Sequence, residues 1–354
     1  MHRPPASPST IAVLATHWLG DTFWALQVVP FLQRAHPTAR IDLLVRPGLE
    51  WLARLWVSAD RVHAVRGLVS DRRREGLPRP WRIVGQAWRL RSEPGRPDLL
   101  LDLTATPASA LFAWALRPAY ALGAGRRSIT SRPYDGWRSL RGFEGHLAMR
   151  PWWVLEPVYA SHEAWPPRSE LRQPRLPAWG RARPVDRKVL FFPGAGWPQK
   201  RWSLEGFTEL ARRLERDGWQ VMLLFARGEE TLAAEAASAL VGLTPGVPRR
   251  RVQVTDGEQL LELLRNAQAV VANDSGPAHL AAALGLPTVA LFGPTNPEIC
   301  GPLGENVRVL RTECHQRPEG RRHHCHDRPA YPCDRHCLDA VSVDAVCAAL
   351  EALP

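Results

Sequence analysis

Asn273-Asp274-Ser275-Gly276 is the point in this 354-residue sequence where residue types and spacing first suggest chemistry. Pro277 and the apolar run 278–284 follow, and Pro just inside a helix with Asp or Ser just before it are helix-start signals. Gly285 then reads as the residue after the helix end, and Pro287 bars its continuation. A helix start presents free N–H groups and the positive end of the dipole, which together attract an anion. His279 adds a donor beside that position. The turn is therefore a phosphate-site candidate, with plain helix capping as the other use of the same Asp and Ser. A second turn, Pro193-Gly194-Ala195-Gly196, lets backbone approach a ligand closely. It is followed by Lys200, which with Lys188 makes up all the lysine in the chain. Cys314, Cys325, Cys333 and Cys337 form a third group, interleaved with His315, His323, His324, His326 and His336. These are zinc-ligand types, although their spacing departs from common zinc patterns.

The elements that must position these groups alternate between strand and helix. Residues 269–272 and 288–292 read as buried strands flanking the helix after Asn273, a βαβ crossover with its polar turn at a strand's C-terminal end. Ligands of open parallel sheets bind there. Earlier strands are expected at 11–15, 41–45, 62–65 and 99–101, with helices at about 22–35, 49–56 and 108–116. Pro30 kinks the first helix or restarts it. The stretch 123–153 reads as loop-rich. Residues 165–187, rich in Pro and Arg without periodicity, read as a linker between two domains placed at 1–175 and 176–354. The second domain continues with strands at 189–192, 221–225 and 251–254 and helices at about 204–216 and 258–266. The last helix is a candidate to pack back on the first domain. The rhythm implies an α/β protein with two doubly wound parallel sheets.

Composition limits the partners. Lys and Arg total 46 against 35 Asp and Glu, a formal net charge of +11, carried almost wholly by arginine. Such a surface attracts nucleic acid, an acidic membrane or phosphorylated substrates. The apolar core of the N-terminus, 11–15, is too short for a secretory signal, and no apolar stretch approaches a membrane span. A cytoplasmic protein is expected, where cysteines serve as thiols or metal ligands rather than disulfides. On residues 81–91, Trp81, Val84 and Trp88 share one face among arginines. Packing on the sheet is the favoured reading, and lying on an anionic membrane the alternative.

The string DSGPAHLAAALGLPTVALFGPT, from Asp274 to Thr295, resembles the signature of glycosyltransferase family 9, the bacterial heptosyltransferases. The usual form is DTGPxHLAAALGxPxVALFGPT, so Ser275 replaces Thr and keeps the hydroxyl. Gly20-Asp21, the strand Asp98-Leu99-Leu100-Leu101-Asp102-Leu103 and PGAGxxxKRW at 193–202 extend the resemblance over most of the chain. Thr104 stands where that family usually has Gln, and the common CxPC pair is missing at Cys314. The resemblance implies a GT-B architecture, two Rossmann-like domains facing a central cleft. It further implies an inverting, metal-independent transfer of a heptose, usually from ADP-heptose, onto a lipopolysaccharide core acceptor.

Site roles follow from the same resemblance. Asp21 becomes the general base, with capping of the first helix as its other reading, and Lys200 stabilises the departing phosphate. Gly194, Lys200, Glu230 (or Glu229), Asp274, Ser275, Gly276, His279 and Thr295 are expected at the donor, with Asn296 nearby. Gly20, Arg126 and Arg127 are expected at the acceptor, and Arg132, Arg138 and Arg141 are further anion partners. No catalytic cofactor is implied, and a structural zinc on the four cysteines is the one metal candidate. Peripheral association with the inner membrane is an expectation from charge. Competing functions are a protein heptosyltransferase, a catalytically silent sugar-nucleotide binder and a nucleic-acid binder, the last supported by charge alone. Asp21 and Lys200 argue against silence.

Overall fold

A computed structural model describes residues 4–69, 79–93, 95–125, 131–140, 143–171, 174–176, 187–240, 252–312 and 337–354. Two compact units divide the chain, Met1–Pro177 and Ala178–Pro354. The division falls inside the proline- and arginine-rich stretch read as a linker, most of which lies outside the described residues.

In the first unit the order is β1 (Thr10–Ala15), α1 (Leu19–Leu26), α2 (Val29–Ala35), β2 (Arg40–Val45), α3 (Glu50–Ala53) and β3 (Val62–Ala64). It continues with α4 (Pro80–Ser92), β4 (Leu99–Asp102), α5 (Pro107–Leu116), β5 (Tyr120–Gly125), β6 (Gly136–Ser139), α6 (Arg150–Tyr159) and the short α7 (Arg168–Leu171). All six strands are parallel and lie in the order β3-β2-β1-β4-β5-β6. The inner strands read as nearly continuous apolar runs because helices cover both faces of such a sheet. Ile11, Val13, Leu14 and Leu100 are fully buried.

The second unit repeats the architecture with β7 (Lys188–Phe192), α8 (Leu204–Arg216), β8 (Gln220–Ala226), α9 (Glu230–Leu240), β9 (Val252–Thr255), α10 (Gly257–Arg265) and β10 (Ala269–Asn273). It closes with α11 (Gly276–Ala283), β11 (Thr288–Phe292), α12 (Pro297–Cys300), β12 (Val307–Arg311) and α13 (Val343–Glu351). Its parallel sheet runs β12-β11-β10-β7-β8-β9. Phe191, Phe207, Phe225 and Leu291 anchor its core, each such side chain contributing about 1.5–3 kcal/mol. Local signals fix the ends of the helices. Ser203 Oγ caps α8 by accepting from Gly206 N, and Asp256 with Gln259 forms a capping box on α10.

Several expectations need correction. The first helix begins at Leu19, three residues early, and restarts at Val29 with Pro30 in its first turn, where a missing N–H costs nothing. The helix expected at 49–56 is only the single turn of α3. Residues 123–153, read as loop-rich, also hold the end of β5, then β6 and the start of α6. The Gly- and Ala-rich β5, Tyr-Ala-Leu-Gly-Ala-Gly, lacks the β-branched residues that announce a strand. The last helix, α13, packs on α8, β11 and β12 of its own unit, where Val346 is fully buried. On α4 the inward face is Ile83 and Ala87, while Trp81 and Trp88 are 68% and 62% exposed, so the tryptophans do not pack on the sheet.

Candidate active site

In both units the strand order reverses beside the first strand, between β1 and β4 in one and between β7 and β10 in the other. At such a switch point the connections leave in opposite directions and open a crevice at the strands' C-terminal ends, where ligands of these folds bind. Gly20 and Asp21 lie at the first of these points, and Lys200, Asp274, Ser275, Gly276 and Thr295 at the second.

In the first unit, the turn after β1 leads through His17 and Trp18 into α1. Trp18 is the N-cap residue without a side-chain cap bond, which puts Asp21 in the first turn of the helix, not at its cap. Asp21 is half-buried, and its carboxylate makes no hydrogen bond or ion pair among the described residues. It lines an open pocket with His17, Trp24, Ala105, Leu147 and Arg150. His17 Nε2 lies 2.7 Å from the Thr104 carbonyl. A carbonyl only accepts, so Nε2 carries the proton. Gly20 precedes Asp21 in the same turn.

The opposite lip of that pocket is the turn after β4. Asp102 is fully buried, and its Oδ1 accepts from Thr104 N at 2.9 Å and Ala105 N at 3.1 Å. Tyr134 Oη donates to its Oδ2 at 2.5 Å. Burial raises the Asp102 pKa, against the opposing hydrogen bonds from Ser109, Tyr134, Ala105 and Thr104. Thr104, in the place usually taken by Gln, receives Thr16 N at 3.0 Å and ties the turns after β1 and β4 together. Ala105 has φ of 56°, in the left-handed region. Such a conformation costs a non-glycine residue roughly 1–2 kcal/mol, sustained here by the Asp102 bonds.

Arg126, Arg127 and Arg141 lie outside the described residues. Arg132 is exposed. Arg138 is already committed: it pairs with Glu156 at 2.7 Å, donates to the Trp153 carbonyl and stacks 4.0 Å over the Trp153 ring. It is not placed as a ready anion partner.

In the second unit, Asp274, Lys200 and Thr295 meet at the ends of β10, β7 and β11. Lys200 Nζ lies 2.7 Å from Asp274 Oδ2, and Thr295 Oγ1 donates to the same oxygen at 2.6 Å. Asp274 is 7% and Thr295 2% exposed. The expected capping by Asp274 and Ser275 is absent: Ser275 is the N-cap residue of α11 but makes no side-chain cap bond, its Oγ turning to the Asn273 carbonyl. Asp274 instead holds the ammonium, which also lies 4.9 Å from the Trp197 ring centroid. Gly276 opens α11, and His279, 7% exposed, sits one turn in.

The Glu229 carboxylate lies close over Gly194: a Cβ there would sit 2.1 Å from Glu229 Oε2, so a side chain at 194 would displace that carboxylate. Of the neighbouring acids, Glu229 therefore reaches the Pro193–Gly196 loop and also accepts from Ala226 N, while Glu230 accepts from Gly228 N at the start of α9. Asn296 caps α12 through Glu298 N.

Two residues that lie in the quoted motifs but were assigned no role there shape this site. Asn273, fully buried, donates to the Pro193 carbonyl at 2.7 Å and accepts from Trp202 N at 3.0 Å, locking the glycine loop to β10. Arg201 clasps the Ala195 carbonyl with two donors, at 3.2 and 2.9 Å. A polar Asn ending an apolar strand was the available signal for the first; nothing local marked the second. Cys314, Cys325 and Cys333 lie outside the described residues, and Cys337 opens a short helical turn whose Cβ comes near Gly293. Among the described residues no group of His, Cys, Asp and Glu is arranged to hold a metal ion, and no helix is long and apolar enough to cross a membrane.

Comparison with known proteins places the chain among sequence and structural relatives. The chain is 38% identical over 122 residues to lipopolysaccharide heptosyltransferase 2 of Salmonella typhimurium, covering 34% of this chain and 35% of that protein. Lipopolysaccharide heptosyltransferase 1 of Pseudomonas aeruginosa is 36% identical over 118 residues, covering 33% of this chain and 32% of that one. These alignments span about a third of the curated relatives' length. Over nearly the whole chain, the fold is similar to the structure of E. coli ADP-heptose lps heptosyltransferase II, with TM-score 0.73, 22% identity and coverage of 97% and 98%. It is also similar to E. coli heptosyltransferase WaaC with ADP, with TM-score 0.67, 20% identity and coverage of 97% and 99%. The profile of glycosyltransferase family 9 (heptosyltransferase) matches residues 95–328, well over half of the chain, and the protein belongs to that family.

Proposed function

We propose that this protein transfers a heptose from ADP-heptose onto a lipopolysaccharide core acceptor, with inversion at the anomeric carbon and without a catalytic metal. The second unit binds the donor. Its diphosphate lies against Lys200, the start of α11 at Ser275 and Gly276, and the Pro193–Gly196 loop. Glu229 or Glu230 serves the ribose. The first unit presents the acceptor to Asp21. In the reaction the acceptor hydroxyl oxygen attacks the anomeric carbon and Asp21 takes its proton. The bond from that carbon to the diphosphate oxygen breaks, and its electron pair leaves with ADP. Lys200 stabilises the charge that develops there.

The observation that carries this reading is Asp21. A half-buried carboxylate with no partner among the described residues, set in a pocket at a switch point, is available to accept a proton. Relatives named for ADP-heptose and for lipopolysaccharide supply the substrate classes. Asp274, fixed by Thr295 and paired to Lys200, keeps the ammonium in place until a phosphate arrives. Its test is incubation with ADP-heptose, other ADP-sugars and UDP-sugars, with and without a heptose-deficient lipopolysaccharide acceptor. Nucleoside diphosphate release that needs both ADP-heptose and the acceptor supports the proposal. Release from a UDP-sugar alone, or none with any donor, overturns it.

A further inference from the structure

We propose that α4 is the surface by which this protein docks on an anionic lipid bilayer. With its N-cap residue Arg79, the helix reads Arg-Pro-Trp-Arg-Ile-Val-Gly-Gln-Ala-Trp-Arg-Leu-Arg-Ser over 79–92, four arginines and no acid. Trp81 and Trp88 are seven residues apart, two helical turns, so they stand on one face. They are 68% and 62% exposed, among the few large apolar side chains that the described residues of this unit leave open to water. Trp114 of α5, the helix against which α4 packs, is 58% exposed as well.

The helix is held in this rotation. Ile83 and Ala87, 3% and 0% exposed, pack into the core beside Phe112 and Ala113 of α5. Gln86 grips the chain at Arg66 twice, accepting from its N at 2.9 Å and donating to its carbonyl at 3.1 Å. With that stripe fixed inward, Trp81, Arg82, Trp88 and Arg89 must face out. Arg82, Arg89 and Arg91 are exposed, and none pairs with an acid among the described residues.

This chemistry selects the occupant. Indole sits at the boundary of headgroup and acyl chain, its ring in the apolar layer and its N–H in the wet one. Guanidinium groups beside it bind phosphate esters. An amphipathic helix lying in the bilayer plane needs both on one face. Trp and Arg also mark protein interfaces, so a second copy of the chain is the competing occupant. Exposed Arg82, Arg89 and Arg91, with no acid on the helix to pair them, favour an anionic phosphate surface. The +11 net charge brings the chain toward the same anionic surface. The docking is independent of sugar transfer, so its failure would leave the catalytic reading standing.

The experiment is co-sedimentation of the full chain with phosphatidylcholine vesicles, with and without phosphatidylglycerol, in the absence of any sugar nucleotide. Binding should need phosphatidylglycerol and weaken with salt. Each arginine contributes about fivefold near such a surface, so Arg82→Gln with Arg89→Gln should lower affinity about thirtyfold. In vesicles carrying brominated acyl chains, tryptophan quenching should fall by more than half in Trp81→Phe with Trp88→Phe, leaving at most the share reported by Trp114. Circular dichroism of both double variants should match wild type, since the altered side chains are exposed. Equal binding to neutral vesicles, or quenching undiminished in the Phe double variant, would overturn the proposal. So would binding to duplex DNA or RNA but to no vesicle, or a dimer that dissociates in the Trp variant.

Discussion

Replacing Asp21 by Asn isolates the proton-transfer step. The side chains are the same size, and the carboxylate makes no hydrogen bond or ion pair among the described residues, so no native contact is lost. The structural loss is confined to the interaction of a negative charge with the N-terminal dipole of α1, where Asp21 lies in the first turn. That interaction is worth about 0.3–1 kcal/mol. For a unit of this size, the loss lowers the melting temperature by about 2–4 °C at most. The chemical loss is larger, because Asn cannot accept the acceptor's proton. Removal of a general base costs about 10²–10⁴ in rate, equivalent to about 2.7–5.5 kcal/mol of barrier. ADP release from ADP-heptose with saturating acceptor reads the rate, and calorimetry with the donor alone reads binding, which should stay at the wild-type value. Turnover near wild type in a folded variant would refute the role given to Asp21. His17, in the same pocket with a protonated Nε2, would then be the residue to examine. A collapse of the melting temperature would instead show that Asp21 is needed for the fold.

Lys200→Ala should weaken donor binding by about 1.5–3 kcal/mol, the range for a charge-assisted contact. It also leaves Asp274 without its cation, so Lys200→Ala with Asp274→Ala should recover stability without recovering affinity; wild-type donor affinity in the single variant would remove Lys200 from the site. Asp42 of β2 gives a pH prediction. Burial acts to raise its pKa, but hydrogen bonds from His63 and Arg40, with their charges, outweigh burial and hold it below the ordinary 3.8. A depressed folded pKa contributes stability that is present above the unfolded value and is lost as pH falls through the folded one. Asp42→Asn should therefore cost about 1–3 kcal/mol at neutral pH, reduced by solvent at the partly exposed Arg40, and cost progressively less below pH ~4. Urea unfolding across acid pH measures this, and a constant difference at every pH would contradict it. A zinc held by Cys314, Cys325, Cys333 and Cys337 should appear as about one metal per chain on elemental analysis, removable by chelator with loss of stability. Metal-free protein prepared without chelator would rule it out.

Much of the scaffold was legible because its signals are local. Apolar runs bounded by turn residues located β1, β2, β7, β10 and β11. Gly285, with φ of 75°, and Pro287 ended α11 where the chain must turn back into β11. The boundary between the two units, at 177–178, falls inside the proline- and arginine-rich stretch whose composition marked it as a linker. Where signals were weak, elements were missed: β5 is small and glycine-rich, and β12, Val-Arg-Val-Leu-Arg, has exposed arginines and sits at a sheet edge. Tertiary structure decided what the polar residues do, because their partners are far away in sequence. Asp274 looks like a cap for the helix beside it, yet a lysine 74 positions away claims its carboxylate. Asn273 reads as part of a turn, yet it pins a loop 80 positions away. Trp81 and Trp88 read as a packing face until Ile83 and Ala87 take that role, because rotation of a helix is set by what it packs against and not by its own periodicity. Pattern fixes which segments form strands and helices, since those bonds close within a few residues. A site is assembled by the strand order, which places β1 beside β4 and β7 beside β10 and so determines which side chains meet.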